Sequence, residues 1–371
     1  MAERAWTPEE AIEANRFREA LEASTPSAAV IFALMAINIA VYVVMVCSGV
    51  PALEPRTADL LKWGADFGPL TLDGDQWRII TAMFVHIGIL HLAMNMYALF
   101  IIGPFTERLF GNVPYLVLYT VSGIGGGLAS LAWKPLVVAA GASGAIFGVY
   151  GGLLGCLAVK KSGMSLRSVQ SLTKNAALVL GINFVYGLAG THVDLAAHIG
   201  GFATGFVTGC ALATPLDTSF VSRLKRSGAV LAGGLIAASL IVPRLSIGDE
   251  TKAEWYRLNL MSPSVMANAK DRVIYTSAAS EQDAKKLGQV LVKLNYFRNT
   301  GAEAILWKDS RGMAVGLVLV KPVWNDSQVM AQLYMVRLTM AQLMGDPSLT
   351  LRLYDASGKL QKEIKPPDRK S

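Results

Sequence analysis

The sequence contains little charge, little cysteine and few histidines. Only 16% of its 371 residues are Asp, Glu, Lys or Arg, 53% are hydrophobic, and the mean hydropathy is +0.41. This balance excludes an ordinary soluble domain. The three cysteines, Cys47, Cys156 and Cys210, fall in apolar runs, so no disulfide framework supports the polar parts. With four His and no nucleotide-binding loop, metal cluster or haem motif, the sequence predicts no cofactor.

The apolar residues form runs long enough to cross a bilayer, which requires roughly 20 mostly apolar residues. The sequence therefore predicts an all-α polytopic membrane protein with a six-helix core, a seventh transmembrane helix and a small soluble α+β domain. Spans are expected at 29–49, 80–103, 114–133, 141–159, 174–190, 195–213 and 228–246.

Four regions follow from this pattern: an N-terminal amphipathic segment, the core, a basic loop with the seventh helix, and the soluble domain. The first region holds six Glu, three Arg and no apolar core, which argues against a signal or transit peptide. The last region has a β-α-β-β-α-β order, as in ferredoxin-like domains. The expected bounds are 1–28, 29–213, 214–249 and 250–371.

The net charge of +7 comes from basic residues near the membrane edges rather than from a nucleic-acid-binding surface. Lys160, Lys161, Arg167 and Lys174 lie between spans four and five, and Arg223 begins a second cluster between six and seven. Basic loops favour the cytoplasmic side. The sequence thus predicts a cytoplasmic N-terminus and, after a seventh span, an extracytoplasmic C-terminal domain, with the bilayer as partner and no nucleic acid.

Four polar residues are expected at one depth in the outer half of the membrane. Ser143 and His198 begin spans four and six, and His91 and Asn95 share one face of span two. These three spans run in the same direction. Polar groups at this depth are functional candidates by default, whereas a lone buried Ser is usually structural because it bonds to its own helix.

Two rows of glycine would allow these helices to approach each other. Glycines recur every four residues after Ser143 and again after His198, at positions 144, 148 and 152 and at positions 201, 205 and 209. Alone, such rows indicate only close helix packing. Placed directly after a Ser and a His, they predict that the two side chains meet.

A serine next to a neutral histidine can act as a nucleophile, because the imidazole takes its proton near neutral pH. Ser143 is therefore the candidate nucleophile and His198 its base. The helix N-terminus at Ser143, with His91 and Asn95, would stabilise an oxyanion. Asp194, one turn before His198, is interpreted as a helix cap rather than a third member, so the design is a dyad.

These segments resemble the rhomboid intramembrane serine proteases over residues 29–213. The resemblance is carried by Trp77-Arg78, His91-Leu92-Ala93-Met94-Asn95, Gly141-Ala142-Ser143-Gly144 and Ala197-His198-Ile199-Gly200-Gly201. It implies cleavage of transmembrane substrates near the outer face of a membrane, expected here to be the bacterial inner membrane, without metal or nucleotide. It also implies that Phe147 stacks on the base where relatives often carry Tyr.

Two other classes of function remain open. One is an inactive rhomboid-like binding or quality-control protein, which would keep the fold without an activated serine. The other is a transporter, which would usually show broken helices or repeat halves with ionisable residues at the midplane. The sequence shows neither of these transporter features.

Overall fold

The computed structural model describes residues 7–159, 194–247, 262–276, 278–309, 312–319, 324, 326–355 and 358–367. The chain divides into two compact units, Met1–Ser246 and Ile247–Ser371. Each unit has its own buried core. The predicted fifth span, 174–190, lies outside the described residues.

The described part of the first unit is helical. Five of its helices are long and apolar enough to cross a membrane, namely α2, α6, α7, α9 and α10, and α8 is a shorter apolar helix. The helices are α1 (Pro8–Ser24), α2 (Ala29–Cys47), α3 (Thr57–Lys62), α4 (Gly68–Thr71), α5 (Arg78–Thr81), α6 (Ile89–Phe110), α7 (Asn112–Trp133), α8 (Ser143–Ala158), α9 (Leu195–Leu212) and α10 (Phe220–Ile241).

Two predicted helix starts were wrong. The second span does not begin at residue 80, because the chain turns at Gly88, whose φ of +88° favours glycine, and α6 begins only at Ile89. The last helix does not begin near Gly228. Ser219 caps it by accepting a hydrogen bond from the backbone N–H of Ser222, so α10 already begins at Phe220.

The early start of α10 places two arginines where they bond to the ends of other segments. Arg223 donates to the carbonyl oxygens of Phe110 at the end of α6 and of Leu216. Arg226 donates to the carbonyl oxygen of Ala211 in the last turn of α9 at 2.9 Å. The last carbonyls of a helix have no partner within it, so these bonds attach α10 to the core.

Helices α8 and α9 meet along the two predicted glycine rows, which confirms the expected contact. A Cβ atom added to Gly201 would overlap the carbonyl oxygen of Gly144, and one added to Gly205 would overlap that of Gly148. The same relation joins Gly209 to Gly152. The backbones therefore touch over three successive turns, with no room for side chains between them.

The N-terminal end of α2 is completed by a residue from α6. The carboxylate of Glu107, which is fully buried, accepts from the backbone N–H groups of Val30 at 2.9 Å and Ile31 at 2.8 Å. A carboxylate in this position satisfies two otherwise free donors and complements the helix dipole.

The segment between α2 and α6 is packed rather than loose. Residues 64–71 are buried. The backbones of Asp66 and Ala139 form two hydrogen bonds of 2.9 Å, in which the N–H of each residue donates to the carbonyl oxygen of the other. Arg78 is buried as well and donates to the carbonyl oxygens of Leu61 and Ala65. The segment between α2 and α6 thus pairs with the chain just ahead of α8.

The side chain of Asp66 is a buried carboxyl group. One oxygen accepts from the hydroxyl of Thr71 at 2.5 Å, and the other has no hydrogen-bond partner among the described residues. Burial raises the pKa of Asp66 to about 7, and the negative charge of Asp194 also raises it. The hydroxyl of Thr71 and the positive charge of Arg78 lower the pKa and partly offset this effect.

The second unit contains a six-stranded sheet with two helices. The strands lie in chain order, β1 to β6, and apolar side chains of the sheet pack against α11 and α12. The elements are β1 (Ser264–Met266), β2 (Arg272–Tyr275), α11 (Glu281–Lys293), β3 (Glu303–Asp309), β4 (Gly312–Val318), α12 (Ser327–Met344), β5 (Thr350–Tyr354) and β6 (Leu360–Ile364).

The ferredoxin-like expectation for this unit was wrong. In a split β-α-β unit another strand lies between the two parallel strands. Here β2 pairs directly with β3, and β4 directly with β5, both in parallel. The predicted order of strands and helices is present, but that order alone does not specify which strands are neighbours. The edge strands β1 and β6 were not predicted.

Replacing Gly205 by Ala should lower the free energy of unfolding by about 3 kcal/mol or more, because the added methyl meets a backbone oxygen that cannot rotate away. Gly233→Ala is the matched control, since no atom of the described residues lies within 4 Å of its added Cβ. The free energy of unfolding of Gly233→Ala should rise by about 0.5–1 kcal/mol, because Ala has a higher helix propensity than Gly. Thermal unfolding in detergent measures the stability of both variants. Equal unfolding midpoints for the two variants would contradict the close contact between α8 and α9.

The raised pKa of Asp66 predicts a pH-dependent stability. The unfolded carboxyl ionises near pH 4, so the contribution of Asp66 is full below that pH and is lost as the pH rises to about 7. The slope is at most about 1.4 kcal/mol per pH unit. The side chain introduced by Asp66→Asn is neutral at every pH. The melting temperature of this variant should therefore change less between pH 5 and pH 7 than that of the parent. A parallel decline in both proteins would assign the effect to other groups.

Candidate active site

Ser143 lies at the N-terminus of α8, immediately after a turn that glycine allows. Gly141 has a φ of +123°, and its N–H donates to the carbonyl oxygen of Ala82 at 2.8 Å. The residue before the helix, Ala142, supplies no side-chain cap. Within the described ranges no side chain caps the first N–H groups of α8, and uncapped N–H groups at a helix start favour negative charge.

His198 lies in the first turn of α9 and faces Ser143. Its Nε2 atom is 2.9 Å from the Oγ of Ser143, and its side chain is buried. The ring of Phe147 stacks on the imidazole, with 4.0 Å between centroids and 11° between planes. The Nδ1 atom is buried and has no hydrogen-bond partner within the described ranges. When Nε2 accepts the hydroxyl proton, Nδ1 carries the other hydrogen.

His91 lies in the first turn of α6, beside the turn that leads to Ser143. Its Nδ1 accepts from the backbone N–H of Ile87 at 3.3 Å, which assigns the hydrogen of the neutral ring to Nε2. A Cβ atom at Gly141 would lie 2.9 Å from that Nε2. His91 therefore presents a donor to the 141–143 segment.

Asn95 lies one turn further along α6. One hydrogen of its Nδ2 donates to the carbonyl oxygen of His91 at 2.8 Å, which leaves the second available. The structure thus places His91 next to the glycine turn and Asn95 next to His91. A further histidine, His86, is fully buried, and its Nδ1 lies 3.3 Å from the carbonyl oxygen of Phe84.

Asp194 is the N-cap of α9, which confirms its interpretation as a capping residue. One oxygen accepts from the N–H of Ala197 at 3.0 Å and the other from the hydroxyl of Ser130 at 2.5 Å. The sequence gives no indication of the contacts of Ser130 and Asp66, because a Ser within an apolar helix and an Asp within a connecting segment carry no signal of their own. His192 lies outside the described residues.

This arrangement contains the groups needed for acyl transfer: a hydroxyl bonded to an imidazole, a stacked aromatic ring and nearby donors for developing negative charge. Within the described part of the chain, no group of three or more His, Cys, Asp or Glu side chains could hold a metal ion.

Comparison with known proteins identifies the family. Residues 73–215 match the family model of the rhomboid domain. The chain is 37% identical over 177 residues to rhomboid protease GluP of Bacillus subtilis (strain 168), covering 48% of this chain and 34% of that protein. It is 34% identical over 180 residues to RHOMBOID-like protein 4 of Arabidopsis thaliana, covering 48% and 45%.

A further relative is covered over most of its length. The chain is 33% identical over 193 residues to rhomboid protease AarA of Providencia stuartii, covering 46% of this chain and 68% of that protein. The first two relatives are thus matched over less than half of their own lengths, whereas AarA is matched over more than two thirds. This multi-pass membrane chain belongs to the rhomboid family.

Proposed function

We propose that this protein is an intramembrane serine endopeptidase in which Ser143 and His198 form the catalytic dyad. The observation that carries the proposal is the 2.9 Å contact between the Oγ of Ser143 and the Nε2 of His198 within a buried helix interface. Membership of a family whose named relatives include rhomboid proteases supports a protease.

In the proposed reaction, the Oγ of Ser143 attacks the carbonyl carbon of the scissile peptide bond while Nε2 of His198 takes the hydroxyl proton. The resulting imidazolium then protonates the leaving amine as the C–N bond breaks. A water molecule, deprotonated by the same Nε2, attacks the acyl carbonyl carbon. The imidazolium then gives its proton to the Oγ of Ser143 as the bond between Oγ and the acyl carbon breaks. Stacking of Phe147 keeps the ring plane constant through these steps.

The negative oxygen formed during attack needs donors that are already in place. The uncapped N–H groups at the start of α8 supply one set. We assign the Nε2–H of His91 and the free amide hydrogen of Asn95 as side-chain donors. His91 lies beside the turn that precedes Ser143, and Asn95 lies one turn further along α6.

The proposed substrates are transmembrane proteins, cut near the outer face of the membrane where a helix is short or unstable. The dyad lies at the N-terminal ends of α8 and α9, and the arginine contacts of α10 lie at the opposite end of α9. Basic residues favour the cytoplasmic side, so this polarity supports a site near the outer face. We assign to the second unit substrate presentation or regulation, since the proposed dyad does not draw on it.

Ser143→Ala and His198→Ala should each reduce cleavage of a transmembrane model substrate in liposomes by at least about 10³-fold, because both remove the same acylation step. The double variant should be no slower than either single variant. Ser227→Ala, which changes a buried serine of α10, is the control and should cleave at the parental rate.

A fluorophosphonate probe tests the nucleophile directly, since it should label the parent and not Ser143→Ala. Cleavage by purified Ser143→Ala would overturn the proposed mechanism. A parent that neither labels nor cleaves would instead favour the inactive rhomboid-like alternative.

Asn95→Ala should reduce kcat by about ten- to a thousandfold with little change in KM, as expected when one oxyanion donor is removed. Asn38→Ala is a matched control, because Asn38 bonds to the carbonyl oxygen four residues earlier in α2, as Asn95 does in α6. Steady-state kinetics with a fluorogenic substrate distinguish the two. Equal kcat values for both variants would make Asn95 purely structural.

A further inference from the structure

The base of the proposed dyad has few contacts that fix its position. Its Nδ1 has no hydrogen-bond partner among the residues described, so no side chain orients the imidazole through that atom. The ring is positioned by the stacked Phe147 and by the backbone of the turn that carries it. That turn is the first of α9, and terminal turns fray unless their free N–H groups are capped.

Asp194 holds this turn by two independent bonds. Its backbone carbonyl accepts from the N–H of His198 at 3.1 Å, and its carboxylate accepts from the N–H of Ala197 at 3.0 Å. The residue that caps the helix is therefore also the direct backbone partner of the base. An N-cap of this kind typically stabilises the first turn of a helix.

The cap is in turn attached to a neighbouring helix. The second oxygen of Asp194 accepts from the hydroxyl of Ser130 on α7 at 2.5 Å, and Ser130 is buried. At the same level, a Cβ added to Gly126 of α7 would lie 2.8 Å from the carbonyl oxygen of Ala197 and 3.3 Å from the Cα of Gly144. Helices α7, α8 and α9 thus converge around the turn that carries the base.

We infer that Asp194, anchored by Ser130, is a positioning residue: together they hold the first turn of α9 against α7 and so keep the imidazole of His198 at the hydroxyl of Ser143. This inference rests on the proposed function. The two carboxylate oxygens of Asp194 bond to Ala197 and Ser130 rather than to Ser143 or His198, so Asp194 acts through the backbone of the turn.

Two substitutions separate geometry from charge. Asp194→Asn keeps an oxygen that can cap Ala197 and a polar partner for Ser130, so it preserves the geometry without the charge. Asp194→Ala removes both. Loss of alignment by about 1 Å can slow a reaction by about 10²-fold. Asp194→Ala should therefore lower kcat about tenfold or more with KM unchanged, whereas Asp194→Asn should stay within about threefold of the parent.

Ser130 is tested in the same way, because Ser130→Ala removes the anchor and Ser130→Thr keeps the hydroxyl. Ser130→Ala should lower kcat, and Ser130→Thr should restore it. The control is Ser219→Ala, which removes the cap of α10 and should leave kcat unchanged. All rates are expressed per active site, titrated with the fluorophosphonate probe, so that loss of folded protein does not register as loss of kcat.

The outcomes distinguish the two proposals. A parent that neither cleaves nor labels overturns the proposed function and this inference with it. If the parent is active, a parental kcat per active site for Asp194→Ala overturns the positioning role alone. Equal impairment of Asp194→Asn and Asp194→Ala also overturns it, because charge would then be the contribution of Asp194. Lowered kcat for Asp194→Ala and Ser130→Ala, with recovery in Asp194→Asn and Ser130→Thr, supports it.

Discussion

The close contact between α8 and α9 is the constraint on which the site depends. The two helices touch backbone to backbone at three glycine pairs, beginning with Gly144 and Gly201 and ending with Gly152 and Gly209. Ser143 and His198 directly precede this contact, one on each helix. The interhelical separation and register that the glycines impose therefore set the distance between the two side chains. A larger residue in either glycine row would push the two helices apart. The hydroxyl of Ser143 and the imidazole of His198 would then separate, although the new side chain would contact neither of them.

The contact could be predicted from the sequence because its information is local and periodic. Glycines at four-residue spacing mark a smooth face, and Ser143 and His198 stand at the beginning of those faces. The cap at Asp194 could also be predicted from local sequence, because Asp194 lies one turn before His198. Stacking of Phe147 on the imidazole was implied by family resemblance and matches the geometry observed.

Other features could not be predicted because they depend on residues distant in sequence. Nothing near Ser130 indicates that its hydroxyl will meet Asp194, which is 64 residues away. The start of α6 was misplaced because the hydrophobic run continues through the turn at Gly88, and hydropathy does not register a positive φ. The C-terminal sheet shows the same limit, since a correct order of strands and helices left the neighbours of each strand undetermined.

The carboxylate of Glu107 has a consequence for how the chain assembles in a membrane. The donors that it satisfies, at Val30 and Ile31, belong to the first apolar helix, yet the acceptor is synthesised 76 residues after Ile31. Until α6 has been inserted, the N-terminal end of α2 must find its hydrogen bonds in water or lipid headgroups, because the bilayer core offers none. Insertion of α2 into the membrane and formation of its native hydrogen bonds are thus separate events. The second event requires α6. A ribosome-bound chain that ends before residue 107 would hold its first membrane helix without its native partner.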